Sequence, residues 1–422
     1  MKSKVLKLFT IAVFVALPVS IGLAQNQQPK NHPPQYTVVD LGTPLGGFFA
    51  IGMSINSLGW VGGYANLPSN TSQHAALWLY GSTIDLGTLG GPNSALYGTY
   101  SGFAETSGSD PLGQDFCEYG DYLICLPFVL NFNSLVPLPT LGGYSAVAFG
   151  NNDLNQVVGT SLTATQDPSC LVDGQPQPPF YKRQGALPAI WENGRIKPLA
   201  PLPGDSRGTA YAINDRGQVV GWSGDCVSNT TAHALLWNNG KVVNLGSLGG
   251  VTNNVAASIN NLVEVTGNSD LSGDATYHAF LWRNGKMTDL GTLPGDYLSY
   301  GNAINDEGQI VGASCDINGN CRPFLWENGT MIDLNTLIPA NSNLYLLDAS
   351  TINDLGEIVG YAYDATTGNL PAFLAVVCRD CNEAQAAAVS AAAKVALPDN
   401  VRKLVQQRLK SGRFGVRMTQ PQ

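Results

Sequence analysis

The sequence predicts an all-β fold, a closed seven-bladed β-propeller of four-stranded blades followed by a short helical tail. Three observations carry this expectation. Blocks of similar sequence recur along most of the chain at a step near 45 residues, a period at which each unit is a small sheet that cannot bury its faces until neighbours stack on both sides. Turn dipeptides sit at fixed places between short apolar runs, the pattern of antiparallel hairpins. The two ends of the repeated region are incomplete in complementary ways.

The first block reads "AINDEGQIVG". In it Asn56, Asn214, Asn260, Asn305 and Asn353 each follow an isoleucine and stand seven residues before a glycine (Gly63, Gly221, Gly267, Gly312 and Gly360), and Asn152 keeps the same distance from Gly159. The second block, "HAFLW", supplies Trp78, Trp191, Trp237, Trp282 and Trp326; the third, "DLGTLGG", places Leu86, Leu199, Leu245, Leu290 and Leu334 eight residues after each tryptophan. Asn56 and Asn152 lie 96 residues apart, twice the usual step, so a worn copy is expected between them. "SALYGTYSGFAETSG" (94–108) fills that place, with Leu130 at the tryptophan position and Leu138 eight residues later. The count is then seven.

Taken in order, residues 1–24 read as a secretory signal, because Lys2, Lys4 and Lys7 precede an apolar run that ends in small residues and is broken by Pro18. Residues 25–35 form a linker and 36–377 the propeller. Within a blade the residues up to Ile-Asn make a short inner strand, and Asn-Asp-x-Gly turns it. "GQIVGAS" is the second strand and "PFLW" the third. Asn193-Gly194, Asn239-Gly240, Asn284-Gly285 and Asn328-Gly329 match the two-residue turn that fits strand twist, leading to a fourth strand such as "TMIDL". The region opens on a lone fourth strand, "YTVVDLG" (36–42), and closes on a third strand, "PAFLAVV" (371–377), that lacks a fourth. Pairing them closes the ring and removes two exposed edges that an open solenoid would leave for aggregation.

The repeats resemble the extracellular HAF repeat family of bacterial secreted proteins. The triplet that names it stands intact as His278-Ala279-Phe280 and, in variant form, as His74-Ala75-Ala76 and His233-Ala234-Leu235. The resemblance covers residues 36–377 and implies location and architecture. The family carries no assigned reaction, so the resemblance transfers no catalytic residues.

Composition narrows the function classes. Residues 25–377 carry 11 Lys+Arg against 28 Asp+Glu, a balance that repels nucleic-acid phosphates. No segment after the signal is long and apolar enough to span a membrane. Residues 378–422 carry 8 basic against 3 acidic residues and read as a separate basic tail, helical or disordered. There Asp399 caps an apolar stripe of Val401, Leu404, Val405 and Leu409. The tail is expected to be solvated rather than docked. The eight cysteines of an exported chain read as disulfide candidates. Cys117 with Cys125 and Cys315 with Cys321 would clip single loops, Cys170 with Cys226 would bridge equivalent loops of adjacent blades, and Cys378 with Cys381 would close a C-x-x-C.

Candidate chemistry is thin. His74, His233 and His278 occupy one slot in three blades, with Arg322 in the same slot of the sixth, so they are expected to be structural. Asp40, Asp85, Asp289 and Asp333 open the third block, and Asp215, Asp306 and Asp354 follow the Ile-Asn pair; both sets are expected to bond backbone N–H groups of their own turns. The loops "CDINGNC" (315–321) and "SDLSGD" (269–274) lack the acids of an EF-hand. No metal, cofactor or catalytic residue is expected. The irregular loops 109–125 and 163–185 fall on one face and carry Tyr119, Tyr122, Phe180 and Tyr181, aromatics suited to recognition. The expected function is a secreted, monomeric, non-enzymatic module that binds an extracellular protein or glycan, in the medium, the periplasm or at the cell surface. The competing expectation is a glycan-active hydrolase or lyase with a site in the propeller channel.

Overall fold

The computed structural model describes residues 33–109, 123–131, 134–166, 184–225, 231–378, 398 and 401–403. The signal segment, the long-loop aromatics Tyr119, Tyr122, Phe180 and Tyr181, and Cys117, Cys170, Cys226 and Cys381 lie outside the described residues.

After β1 (Tyr36–Gly42), four strands at a time form a blade. The first blade is β2 (Ala50–Ile55), β3 (Val61–Asn66), β4 (Gln73–Leu79) and β5 (Ser82–Asp85). The second is β6 (Gly90–Leu96), β7 (Ser101–Ser109), β8 (Leu123–Asn131) and β9 (Ser134–Pro137). The third is β10 (Gly142–Asn151), β11 (Val157–Gln166), β12 (Gln184–Glu192) and β13 (Arg195–Pro198). The fourth is β14 (Arg207–Ile213), β15 (Val219–Gly224), β16 (Ala232–Asn238) and β17 (Lys241–Asn244). The fifth is β18 (Gly249–Ile259), β19 (Val265–Leu271), β20 (Tyr277–Arg283) and β21 (Lys286–Asp289). The sixth is β22 (Leu298–Ile304), β23 (Ile310–Cys315), β24 (Cys321–Glu327) and β25 (Thr330–Asp333). The seventh takes β26 (Leu344–Ile352), β27 (Ile358–Asp364) and β28 (Ala372–Val377), and β1 completes it in the order β1-β28-β27-β26. The pairing runs antiparallel from Tyr36 opposite Val377 to Gly42 opposite Ala372. The chain is therefore a closed seven-bladed propeller, and the worn second copy is a full blade.

The repeat glycine has a steric cause that the sequence did not reveal. In six blades the inner strand carries a β-bulge just before its end, for example between Gly301 and Ala303 or between Ala256 and Ser258. The carbonyl beside it presses on the second strand. A Cβ on Gly63, Gly159, Gly221, Gly267, Gly312 or Gly360 would lie 1.9 to 2.0 Å from the carbonyl oxygen of Ile51, Val147, Thr209, Val255, Tyr300 or Asp348 respectively. Gly102 of the worn blade stands 2.0 Å from the oxygen of Ala95 on the same test. The space spared is filled from the third strand. Phe128, Phe280, Phe324 and Phe373 lie opposite these glycines in the ladder and are fully buried.

The Ile-Asn asparagine does two jobs at once. In blade five, Asn260 Oδ1 accepts from the N–H groups of Leu262 (3.0 Å) and Glu264 (2.8 Å) and shapes its own turn, while Nδ2 donates to the Asn305 carbonyl of the next blade (3.0 Å). The same inter-blade bond runs from Asn152 to Asn214, Asn214 to Asn260, Asn305 to Asn353 and Asn353 to Asn56. Where the worn blade lacks its asparagine, Tyr100 Oη donates to the Asn152 carbonyl (2.7 Å) and Ser54 Oγ to the Gly98 carbonyl (2.9 Å). The circuit thus closes through substitutes. Tryptophans bolt neighbours further out: Trp78, Trp191 and Trp237 Nε1 donate to the carbonyls of Leu41, Pro139 and Ala200.

Two sequence expectations need correction. Asp215, Asp306 and Asp354 do not cap their own turns, because the asparagine before each already supplies that acceptor; each accepts the N–H of the equivalent residue one blade back, Asp153, Asn261 and Asp306. The tail is not wholly solvated either. Residues 401–403 are helical, with Arg402 N–H donating to the Pro398 carbonyl (2.9 Å), and Val401 is buried in the apolar cluster at the inner ends of the blades.

Candidate functional site

The bulges decide what the ring axis presents, because an extra residue on one strand re-aims its side chain. The residues left without a ladder partner are Met53, Phe149, Tyr211, Ala257, Asn302 and, in blade seven, Ser350. They sit on the inner strands, so they crowd the axis. Phe149 meets Tyr211 of the next blade at 5.1 Å between ring centroids and Tyr97 of the previous one at 5.5 Å, and Tyr97 stacks on Phe103 at 5.6 Å. An aromatic arc thus spans blades two to four.

Across the ring, blades six and seven present polar groups. Asn302 Nδ2 donates to Asp348 Oδ1 (3.1 Å) and to the Ala349 carbonyl (2.9 Å), and Tyr300 Oη reaches the same carboxylate oxygen at 3.4 Å. Burial pushes the Asp348 carboxyl up to about 6, against the opposing hydrogen bonds of Asn302, Tyr300, Ser350 and the Ala349 N–H. Burial, with the Asp348 charge beside it, also drives the Tyr300 phenol well above its ordinary value. Sequence reasoning missed Asp348, yet a signal existed. Five residues before the anchoring asparagine the other repeats carry Ile51, Val147, Thr209, Val255 and Tyr300, and a carboxylate appears there in blade seven.

A second non-repeated carboxylate lies two blades away, in blade five. Asp270 Oδ2 accepts from the Asn253 N–H (2.7 Å), and Asp274 Oδ1 accepts from Val251 (2.6 Å) and Thr252 (3.2 Å), so the pair holds the start of the blade-five inner strand. Burial raises Asp270 to about 7, with the charge of Asp274 adding to it, while the Val251 N–H holds Asp274 below its ordinary range. Such a split biases Asp270 towards the protonated form and Asp274 towards the charged one. Tyr277 Oη, buried with no hydrogen-bond partner among the described residues, feels the Asp270 charge, and Tyr300 feels that of Tyr277. A polar seam therefore runs Asp270, Tyr277, Tyr300, Asp348 through blades five to seven.

The repeated residues prove to be struts. His74 Nδ1 pairs with Asp85 (2.9 Å), His278 with Asp289 (2.9 Å) and His233 with Asp205 (3.0 Å). In the sixth blade Arg322 spans Asp296 (2.8 Å) and Asp333 (2.9 Å), so a permanent cation does the same work in that slot. The third-block aspartates bond their own turns as expected: Asp40, Asp85, Asp289 and Asp333 accept the N–H two residues on. Cys315 and Cys321 form a disulfide that clips β23 to β24, and Cys125 and Cys378 are also disulfide-bonded. Asp316 caps that clipped turn through the N–H groups of Asn318 and Asn320. Among the described residues no group of three or more His, Cys, Asp and Glu could hold a metal ion, and no helix is long and apolar enough to cross a membrane.

No family model matches the chain, and no curated protein does. Solved structures give a likeness of fold. A gluconolactonase from Xanthomonas campestris is 8% identical with a TM-score of 0.36, the match covering 82% of this chain and 95% of that one. A puromycin-hydrolysing peptidase from Mycobacterium tuberculosis is 11% identical with a TM-score of 0.39, covering 80% and 55%. Trypanosoma rangeli sialidase is 8% identical with a TM-score of 0.34, covering 81% and 55%. The chain spans about half the length of the last two. At this distance the likeness says nothing of substrate.

Proposed function

We propose that this protein is a secreted, monomeric, non-enzymatic binding or scaffolding module of the HAF repeat type, meeting an extracellular protein or glycan on the face that carries loops 109–125 and 163–185. The observation that carries the reading is the division of labour among its residues. Repeated polar groups are committed to turns, struts and inter-blade bonds, whereas a non-repeated aromatic arc and the Asp348 carboxylate gather towards the axis, and the sequence puts further aromatics in the two long loops. Aromatic rings offer flat apolar faces to sugars or peptide side chains, and a few convergent polar groups fix orientation. The test is a glycan and extracellular-protein binding screen on the mature chain. Tyr181→Ala and Tyr119→Ala are expected to weaken the interaction at least tenfold.

One observation favours a second reading, a glycan-active hydrolase or lyase. Burial raises both Asp270 and Asp348, neither of them part of the repeat, above the ordinary carboxyl range, the direction a general acid needs. Incubating the glycans with wild type and Asp348→Asn decides between the two: cleavage products that vanish in the variant would establish the enzyme.

A further inference from the structure

The axial end of the ring is not empty of chain. Val401, 6% exposed, packs in a cluster with Phe49, Leu347, Leu370 and Tyr97, all buried. This end is the long-loop face. Leu370 lies in the connection between β27 and β28, Phe49 pairs with it across an isolated bridge, and Cys125, in the same cluster, stands near the start of β8, which follows the long loop. Blade seven is modified to build it: an extra bulge between Leu346 and Asp348, additional to the one near the strand end, places Leu347 there. The segment that enters carries Arg402 and Lys403 beside Val401, and charge favours it, since residues 378–422 hold 8 basic against 3 acidic residues and residues 25–377 hold 11 against 28.

We infer that the apolar patch around Phe49, Leu347 and Leu370 on the long-loop face is a receptor for a basic, amphipathic peptide, and that the chain's own C-terminal segment, seated through Val401, occupies it in cis. This deepens the binding reading above and rests on its assignment of that face. A tethered segment competes at a high effective concentration, so an outside peptide reaches the patch only when the resident one is released. The ring then exposes its axial surface when a partner, or a change in salt, displaces the tail.

The experiment titrates a fluorescein-labelled peptide of residues 397–412, "LPDNVRKLVQQRLKSG", into full-length protein and follows anisotropy. Val401→Asp protein is expected to bind it at least tenfold more tightly than wild type, and Val401→Leu protein to behave as wild type. A peptide bearing the same Val401→Asp change is expected to lose binding to the Val401→Asp protein, and thermal unfolding of each variant checks the ring. Equal binding by wild type and Val401→Asp, no binding by either, or undiminished binding of the altered peptide would overturn the inference. The titration needs no external ligand and the ligand screen needs no tail, so the two readings fail separately.

Discussion

A single side chain in this protein is defined by whether its neighbours one step round the ring share it. Asn260 is shared, and its bonds within and between blades predict its cost. Asn260→Ala leaves the Asn305 carbonyl and two turn N–H groups without their partner and should lower unfolding free energy by about 2 kcal/mol in a denaturant titration. Gly312→Ala drives a methyl into the Tyr300 carbonyl, and an overpacked site of this kind should cost about 3 kcal/mol. Asp348 is not shared, and its signature is pH. The fold favours its protonated form, so the stability it contributes is complete below the ordinary carboxyl range and is lost as pH rises towards and through about 6. Wild type should therefore lose melting temperature between pH 4 and 7 relative to Asp348→Asn, in which this ionisation is absent. Parallel pH slopes for the two proteins would refute the burial of that carboxyl.

At the scale of the element, the blade was almost entirely legible in the sequence. The Asn-Gly turns announced their hairpins: Asn193, Asn239, Asn284 and Asn328 all take positive φ, each followed by a glycine that does the same. The His slot announced a structural role because it recurred in register. Arg322 shows how that slot works without a histidine, and also what it risks. Arg322→Ala would strip the cation from Asp296, a buried carboxylate, and leaving a charge buried and unpaired costs about 3 kcal/mol or more. A denaturant titration of wild type beside Arg322→Ala would show the loss. What the sequence withheld was the bulge. Bulged residues carry no residue-type signature, as Met53, Phe149, Tyr211, Ala257 and Asn302 attest, so the aromatic arc and the approach of Asn302 to Asp348 could not be read from periodicity, although the carboxylate itself broke the repeat at its position. The turn aspartates were misassigned for a related reason: their partner lies one blade away, a distance that local turn rules do not see.

At the scale of the whole molecule, closure turns seven marginal sheets into one body. The complementary ends predicted it and the ladder between β1 and β28 realises it. Val38→Pro, opposite Ala375, should open that seam and expose two strand edges, giving concentration-dependent aggregation on heating that wild type lacks. Static light scattering during a thermal ramp would register the difference. Closure also sorts the residues by role, since every blade supplies the same scaffold and the aromatic arc and the Asp348 group, which depart from it, gather towards the axis. That sorting is the central claim. It is tested most directly by measuring, in one binding screen of extracellular glycans and proteins, wild type beside Tyr181→Ala and His278→Gln. The account predicts a ligand retained without product, bound at least tenfold more weakly by Tyr181→Ala and equally by His278→Gln. Loss of binding in His278→Gln with full retention in Tyr181→Ala would contradict it.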